Sequence, residues 1–261
     1  MHNPRKILII RFSALGDLVL TTPIYRELKR VYPDVKITLL TSSGLGSVLE
    51  NNPHIDYVIH HSRNESRTQL KDLIQKLRRE RFDLIYDAHR SLRSIWIVWN
   101  LSGIGLFKIP EVWSINKRSW RRSLLIRFKL NLLNNTPPQR VHLLQPFQDH
   151  TEMKLQNHTE LFPNKNAVLM VQKFLDKKGL LPKRFIAVGA SASYPLKCWP
   201  VPYFHELVSS LLEKDWPVVL VGGENENETV QLEKEFYGKV HCAAGQFSPL
   251  ESAELLKHAS L

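Results

Sequence analysis

Apolar positions fall into two alternating series along the chain. Lys6-Ile7-Leu8-Ile9-Ile10-Arg11 is a short, almost unbroken run of branched residues. Such a run suits a strand buried on both faces, as in a parallel sheet. After a short loop from Phe12 to Gly16, the spacing from Leu18 to Val31 predicts a helix that Pro33 helps to end. Lys36–Thr41, Ile55–His60 and Asp83–Asp87 read as further strands, and Gln69–Arg79 as an amphipathic helix carrying Leu70, Leu73, Ile74 and Leu77. Residues 90–160 read as more helical and less regular, with a basic amphipathic segment from Arg118 to Leu133, a break at Pro137-Pro138 and a helix over Val141–Leu155.

Polar residues around Pro163 mark a boundary, and a second series follows. Helices are expected at Ala167–Lys178 (closed by Gly179), Val201–Lys214, Glu224–Phe236 and Pro249–His258. Strands are expected at Phe185–Gly189, Val218–Val221 and Val240–Ala243. Strand and helix alternating at this spacing imply an α/β chain of two doubly wound units, residues 1–162 and 163–261.

Charge changes the picture in one region. The 261 residues carry 36 Lys and Arg against 25 Asp and Glu, a formal charge of +11. Between Arg63 and Arg140 there are 17 basic residues against 6 acidic, so this stretch holds the whole surplus. Such a block is either a set of solvated helix faces or the mark of an anionic partner. Trp96, Trp99, Trp113 and Trp120 interleave there with Arg90, Arg93, Lys117, Arg118, Arg121 and Arg122, a mixture that suits an interfacial contact or, for some of the tryptophans, a core. No apolar run is long enough to span a membrane, and the N-terminus lacks a signal-peptide pattern. Cys198 and Cys242 form no CxxC pair and read as reduced thiols of a cytosolic protein. No RNA- or DNA-binding module is recognisable.

Three strand-to-helix loops carry candidate chemistry. Ser13-Ala14-Leu15-Gly16-Asp17 follows the first strand, where ligands of open α/β sheets bind. Free N–H groups there favour an anion, and Gly16 allows close approach. Asp17 is either a helix cap or a general base toward a hydroxyl. Gly189 to Pro200 holds Ser191 and Lys197; the lysine is either solvated or able to neutralise a leaving pyrophosphate. Gly222-Gly223 leads to Glu226, which either complements a helix N-terminus or accepts from ribose hydroxyls. The dinucleotide fingerprint GxGxxG is absent.

Taken in order, these segments resemble glycosyltransferase family 9, the heptosyltransferases of the lipopolysaccharide inner core. The resemblance rests on Arg11 to Pro23, Phe82 to His89, Gly189 to Pro200, Leu220 to Glu226, and Ala244-Gly245 with Ser248-Pro249-Leu250. It implies a GT-B fold, with an acceptor-binding N-terminal unit and a nucleotide-sugar-binding C-terminal unit across a cleft. It also implies inverting transfer from an ADP-activated heptose to a phosphorylated glycolipid such as lipid A bearing core sugars. Asp17 would then be the base, Ser13 and Gly16 part of its loop, and Ser191, Lys197 and Glu226 donor contacts, with no metal and no other cofactor. The partners implied are the nucleotide-sugar donor, the anionic glycolipid and the inner-membrane surface, with a cytoplasmic location and no nucleic acid. Cys198 stands where the family pattern has Arg. The family's aspartate-glycine-histidine motif would fall after Leu261, so a fragment that is inactive, or an acceptor-binding remnant, is the alternative expectation.

Overall fold

A computed structural model describes residues 3–261 except 63, 65, 104–109, 117–118, 133–135, 193–194 and 225. The chain divides into two compact units, residues 1–161 and 162–261.

The first unit runs β1 (Lys6–Ile10), α1 (Leu15–Val19), α2 (Thr22–Val31), β2 (Lys36–Ser42), β3 (Tyr57–His61), α3 (Arg67–Glu80), β4 (Leu84–Asp87), α4 (Leu92–Ser102), β5 (Glu111–Ser114), α5 (Ser119–Phe128) and α6 (Gln139–Gln148). The strands form one parallel sheet in the order β3-β2-β1-β4-β5. Ile7 pairs with Ile37 on one side and Leu84 on the other, which places β1 at the centre. Alternation then sends Leu8, Ile10 and Ile85 to one face, where they meet Leu77 of α3 and Ile97 of α4. Ile7 and Ile9 face the opposite way and are equally buried. The unbroken apolar run of β1 is thus explained by cover on both sides.

The helix expected over Leu18–Val31 is two helices. Thr21 interrupts it by donating its hydroxyl to the Leu18 carbonyl (2.6 Å), and Pro23 sits in the first turn of α2, where its missing N–H costs nothing. α2 buries Glu27 completely, and Arg30 (2.6 Å) and Arg26 (3.2 Å) pair with it. Those arginines also hold the Lys154, Gln156 and His158 carbonyls and the Glu160 carboxylate, which straps the end of this unit onto α2. α4 and β5 arise inside the region expected to be irregular and helical, and Val141–Leu155 is helical only as far as Gln148.

The second unit runs α7 (Lys165–Lys178), β6 (Ile186–Gly189), α8 (Val201–Leu212), β7 (Val218–Val221), α9 (Asn227–Glu235), β8 (His241–Cys242) and α10 (Pro249–His258). Its strands are parallel in the order β6-β7-β8. Val171, Leu175, Phe185, Val219 and Leu255 fill one side of this sheet; Val188, Val208, Leu220, Leu232 and Phe236 fill the other. Gly179 ends α7 with φ +64°, and the Leu180 N–H returns to the Leu175 carbonyl at 2.9 Å.

Candidate functional site

In the first unit, β1, β2 and β3 advance to one side, and β4 then enters on the other side of β1. The carboxyl ends of β1 and β4 therefore flank the topological switch point, where loops diverge and leave a crevice. The loop after β1 and the loop after β4 are joined there by one side chain. Arg11, only 6% exposed, donates Nη1 to the Ala88 carbonyl at 2.6 Å and Nη2 to Asp17 Oδ2. Arg11 extends an apolar strand into a loop, so its guanidinium needs partners close by. The Ala88 carbonyl and the Asp17 carboxylate supply them.

Asp17 lies at the third position of α1, not at its cap, which is Ala14. Its Oδ2 also receives the Ala14 N–H at 3.4 Å, a long bond that contributes little to capping. Both of these bonds fall on Oδ2, and the side chain is 38% exposed. The carboxylate is thus fixed on one oxygen and open on the other. Ser13 and Gly16 are exposed beside it, and a Cβ added at Gly16 would meet nothing within 4 Å. Glycine is not forced there by the backbone; its effect is to leave room. α1 has only five residues, so its dipole adds less to an anion site than a long helix would.

The facing loop is shaped by Asp87, which is 3% exposed. Its Oδ1 accepts the backbone N–H groups of His89 (3.0 Å) and Arg90 (2.6 Å). This Asx turn carries Arg90 into the left-handed region at φ +48°. Phe12 packs its ring against His61 and His89, at 6.0 and 5.5 Å between centroids. A separate hollow beside β5 is lined by Trp113, His142 and His150, and none of its lining residues belongs to the Arg11–Asp17 pair. Trp113 is buried and stacks on His150 at 4.5 Å, so it is a packing residue, whereas Trp96 and Trp99 are exposed. The side chains of Trp120, Arg121 and Arg122, with Lys117 and Arg118, lie outside the described residues.

In the second unit, Ser191 follows β6 and donates its hydroxyl to Glu228 Oε2 at 3.0 Å, with Thr229 Oγ1 at 3.3 Å. This ties the loop after β6 to the first turn of α9. Lys197 ends a short 3-10 turn and is exposed. Cys198 places its Sγ 3.5 Å from the Ala192 carbonyl. Glu226 is the residue before α9, which begins later than its apolar spacing suggests, and it does not cap the helix with its side chain. Its carboxylate folds back over Gly222 and Gly223. A Cβ on Gly222 would overlap Glu226 Oε2, so a side chain there would displace that carboxylate. Oε2 is buried without a hydrogen-bond partner among the described residues. A buried acceptor in that condition is costly until a donor arrives.

Residues 70–261 match glycosyltransferase family 9 (heptosyltransferase). The chain belongs to that family. It is 26% identical to lipopolysaccharide heptosyltransferase 3 of Escherichia coli, over 94% of this chain and 73% of that protein. The family 9 glycosyl transferase of Veillonella parvula DSM 2008 superposes with a TM-score of 0.79 at 19% identity, covering 98% of this chain and 74% of that one. E. coli ADP-heptose lipopolysaccharide heptosyltransferase II gives 0.71 at 20% identity, covering 97% and 77%. The fold is the α/β GT-B type with two Rossmann-like units, and the chain is a glycosyltransferase of the lipopolysaccharide heptosyltransferase family.

Sequence reasoning selected Asp17, Ser13, Gly16, Ser191, Lys197 and Glu226. The structure groups the first three around the switch point of one sheet. It ties Ser191 to α9, sets Glu226 on the glycine turn after β7 and leaves Lys197 exposed at the end of a 3-10 turn in the loop that carries Ser191. Two residues were overlooked. Arg11 is signalled by a lone cation closing an apolar strand, and Glu228 by an acid in the first turn of a helix opposite a hydroxyl-rich loop.

Proposed function

We propose that this chain transfers a heptose, with inversion, from ADP-heptose to a hydroxyl of a lipopolysaccharide core or lipid A acceptor. Residues 1–161 take the acceptor and residues 162–261 the donor. The observation that carries this reading is the Asp17 carboxylate, held at the switch point by a buried arginine with one oxygen left open. Asp17 accepts the proton of the acceptor hydroxyl as that oxygen attacks the anomeric carbon. The bond from that carbon to the β-phosphate breaks on the opposite face, and ADP leaves with the electron pair. Arg11 positions Asp17 through its Nη2. Ser13 and Gly16 border the approach of the hydroxyl, and the absence of a side chain at Gly16 keeps that approach open.

On the donor side, Glu226 Oε2 is a buried acceptor without a partner, which fits a ribose hydroxyl. Lys197 offsets charge on the departing diphosphate, and Ser191 shapes the pocket wall through Glu228. No metal is called on in this scheme. The relatives support the substrates: one is named for ADP-heptose and another for lipopolysaccharide.

The test supplies the chain with ADP-heptose and a deacylated core acceptor. Acceptor-dependent release of ADP, with an acceptor heavier by one heptose and an inverted anomeric centre by NMR, is the expected result. Failure to bind or consume ADP-heptose overturns the donor assignment, and retention of configuration overturns the single displacement.

A further inference from the structure

We propose that the hollow along the free edge of β5 binds an uncharged sugar ring, and that in the transfer reaction this ring belongs to the acceptor. β5 is the last strand of its sheet among the described residues. The Glu111 N–H bonds the Asp83 carbonyl at 2.9 Å, and the Ile115 N–H bonds the Asp87 carbonyl at 3.3 Å. Alternate residues of a parallel strand address opposite neighbours, so Val112 and Ser114 turn their N–H and C=O groups outward. Both residues line a hollow of about 280 Å³, which His142, Gln145, Asp149 and His150 of α6 and its end also line. The aromatic wall of this hollow is fixed before any ligand arrives. Trp113 donates its Nε1–H to Glu111 Oε1 at 2.7 Å and stacks on Phe147 and His150, at 5.8 and 4.5 Å between centroids. His150 Nδ1 lies 2.7 Å from the Pro146 carbonyl, which only accepts, so that nitrogen carries its proton.

The lining chooses the ligand. The Arg63–Arg140 stretch carries 17 basic residues, yet none of the described residues that line the hollow is Lys or Arg. A phosphate there would meet the Asp149 carboxylate with no cation to offset it. An ammonium ion is served little better. Glu111 Oε1 is taken by the Trp113 indole, and Asp149 Oδ1 by the Gln145 amide at 2.6 Å, which leaves Asp149 Oδ2 beside neutral amides and a hydroxyl. Sugar hydroxyls both donate and accept, so one pyranose can engage the Ser114 backbone, Asp149 Oδ2 and the Asn116 and Gln145 side chains together. The volume falls just under the drug-sized class of about 300–1,000 Å³, which suits a single ring rather than a nucleotide. Position supplies the link to the acceptor. Arg90, in the loop after β4, donates Nη1 to the Ile115 carbonyl at 2.9 Å and so joins the loops after β4 and β5. From β1 to β5 there are two strand spacings of about 4.8 Å, or about 10 Å. Linked pyranoses span that distance, so a ring held at β5 sets the hydroxyl of a neighbouring ring toward Asp17; this link rests on the acceptor reading proposed above.

The experiment has two arms. Ligand-observed NMR measures binding of the methyl glycosides of glucose, galactose and mannose, with glucose 6-phosphate and ethanolamine for contrast. The proteins are the parent, Asp149→Ala, and Gln145→Trp, whose indole fills the hollow. Both positions are exposed, so melting is expected to be unchanged. At least one glycoside is expected to bind the parent, and each variant to weaken it by about tenfold, the loss of a hydrogen bond to a charged group. The second arm compares transfer to two soluble deacylated acceptors that differ by one uncharged hexose. The parent is expected to show a KM about tenfold lower for the longer acceptor, and both variants to lose that preference. If neither acceptor is glycosylated while a glycoside binds the parent and not the variants, the sugar site stands and only the acceptor reading fails. No glycoside binding, equal binding by variants and parent, or tighter binding of glucose 6-phosphate or ethanolamine overturns the proposal. A preference for the longer acceptor that survives in both variants overturns the link to the acceptor.

Discussion

Replacing Asp17 with Asn separates a catalytic carboxylate from a structural one. The amide keeps the shape of the side chain and still offers Arg11 Nη2 an oxygen, so the link from Arg11 to the Ala88 carbonyl survives. What disappears is a basic oxygen. A positioned general base contributes about 10²–10⁴ in rate, which is about 3–5 kcal/mol of barrier. The stability cost is much smaller. The Asp17 side chain is 38% exposed, its bond to Ala14 is 3.4 Å long, and a partly solvated ion pair is worth about 1 kcal/mol or less. A purely structural Asp17 would reverse that order: loss of a helix-start contact costs about 0.5–1 kcal/mol of stability and leaves chemistry untouched.

The assay is a pair of measurements on the variant and the parent. Single-turnover transfer to a saturating deacylated acceptor reports the chemical step, and thermal melting reports the fold. Turnover is expected to fall by about two to four orders of magnitude, with the midpoint within a few degrees and donor affinity unchanged. A variant whose turnover stays within about threefold of the parent would refute the base assignment, since about threefold is under 1 kcal/mol.

Other expectations follow from the same geometry. Arg11→Met leaves the Ala88 carbonyl and Asp17 Oδ2 without their donor; about 2–3 kcal/mol of stability should be lost in chemical denaturation, less than for a fully buried pair because Asp17 is partly solvated. Turnover should fall with it, since the carboxylate is no longer held. Gly222→Ala drives a methyl into Glu226 Oε2, so ADP affinity by calorimetry should drop by about tenfold or more, whereas Gly223→Ala, whose Cβ would lie 3.0 Å from Oε1, should be milder. Asp56 gives a pH signature. Burial raises its pKa, but hydrogen bonds from Lys29, the Ile37 N–H and Lys36 outweigh that and hold it below the usual carboxylate range. Its contribution is therefore complete above the unfolded value of about 3.9 and is lost as pH falls through the lower folded value. Melting temperature should decline more steeply below about pH 4 in the parent than in Asp56→Asn, which should be less stable at neutral pH by roughly 2 kcal/mol.

What the chain's own order of residues discloses depends on whether the deciding contact is local. β1 and β7 are legible because a strand buried on both faces must be apolar throughout. α7 is legible because Gly179 stops it, although it starts two residues earlier than its apolar spacing suggests, where the Asn164 side chain accepts the Ala167 N–H. β5 is not: Glu111-Val112-Trp113-Ser114 buries one residue of four, and only its pairing with β4 makes it a strand. α4 escapes for the opposite reason. Apolar residues on two faces leave no single period of 3.6, so Leu92–Ser102 shows no amphipathic stripe until the sheet claims one of them. The candidate site divides the same way. Ser191 and Glu226 sit in strand-to-helix loops and Asp17 in the first turn after one, and the position of such segments at the carboxyl edge follows from connectivity alone. The partners that define them do not. Arg11 reaches Ala88 across 77 residues, and Ser191 reaches Glu228 across 37. The positive surplus is the extreme case. Its location is readable by counting, but the partners of its members are not: Arg90 meets the Ile115 carbonyl and Arg78 the Asn100 carbonyl only once the chain is folded.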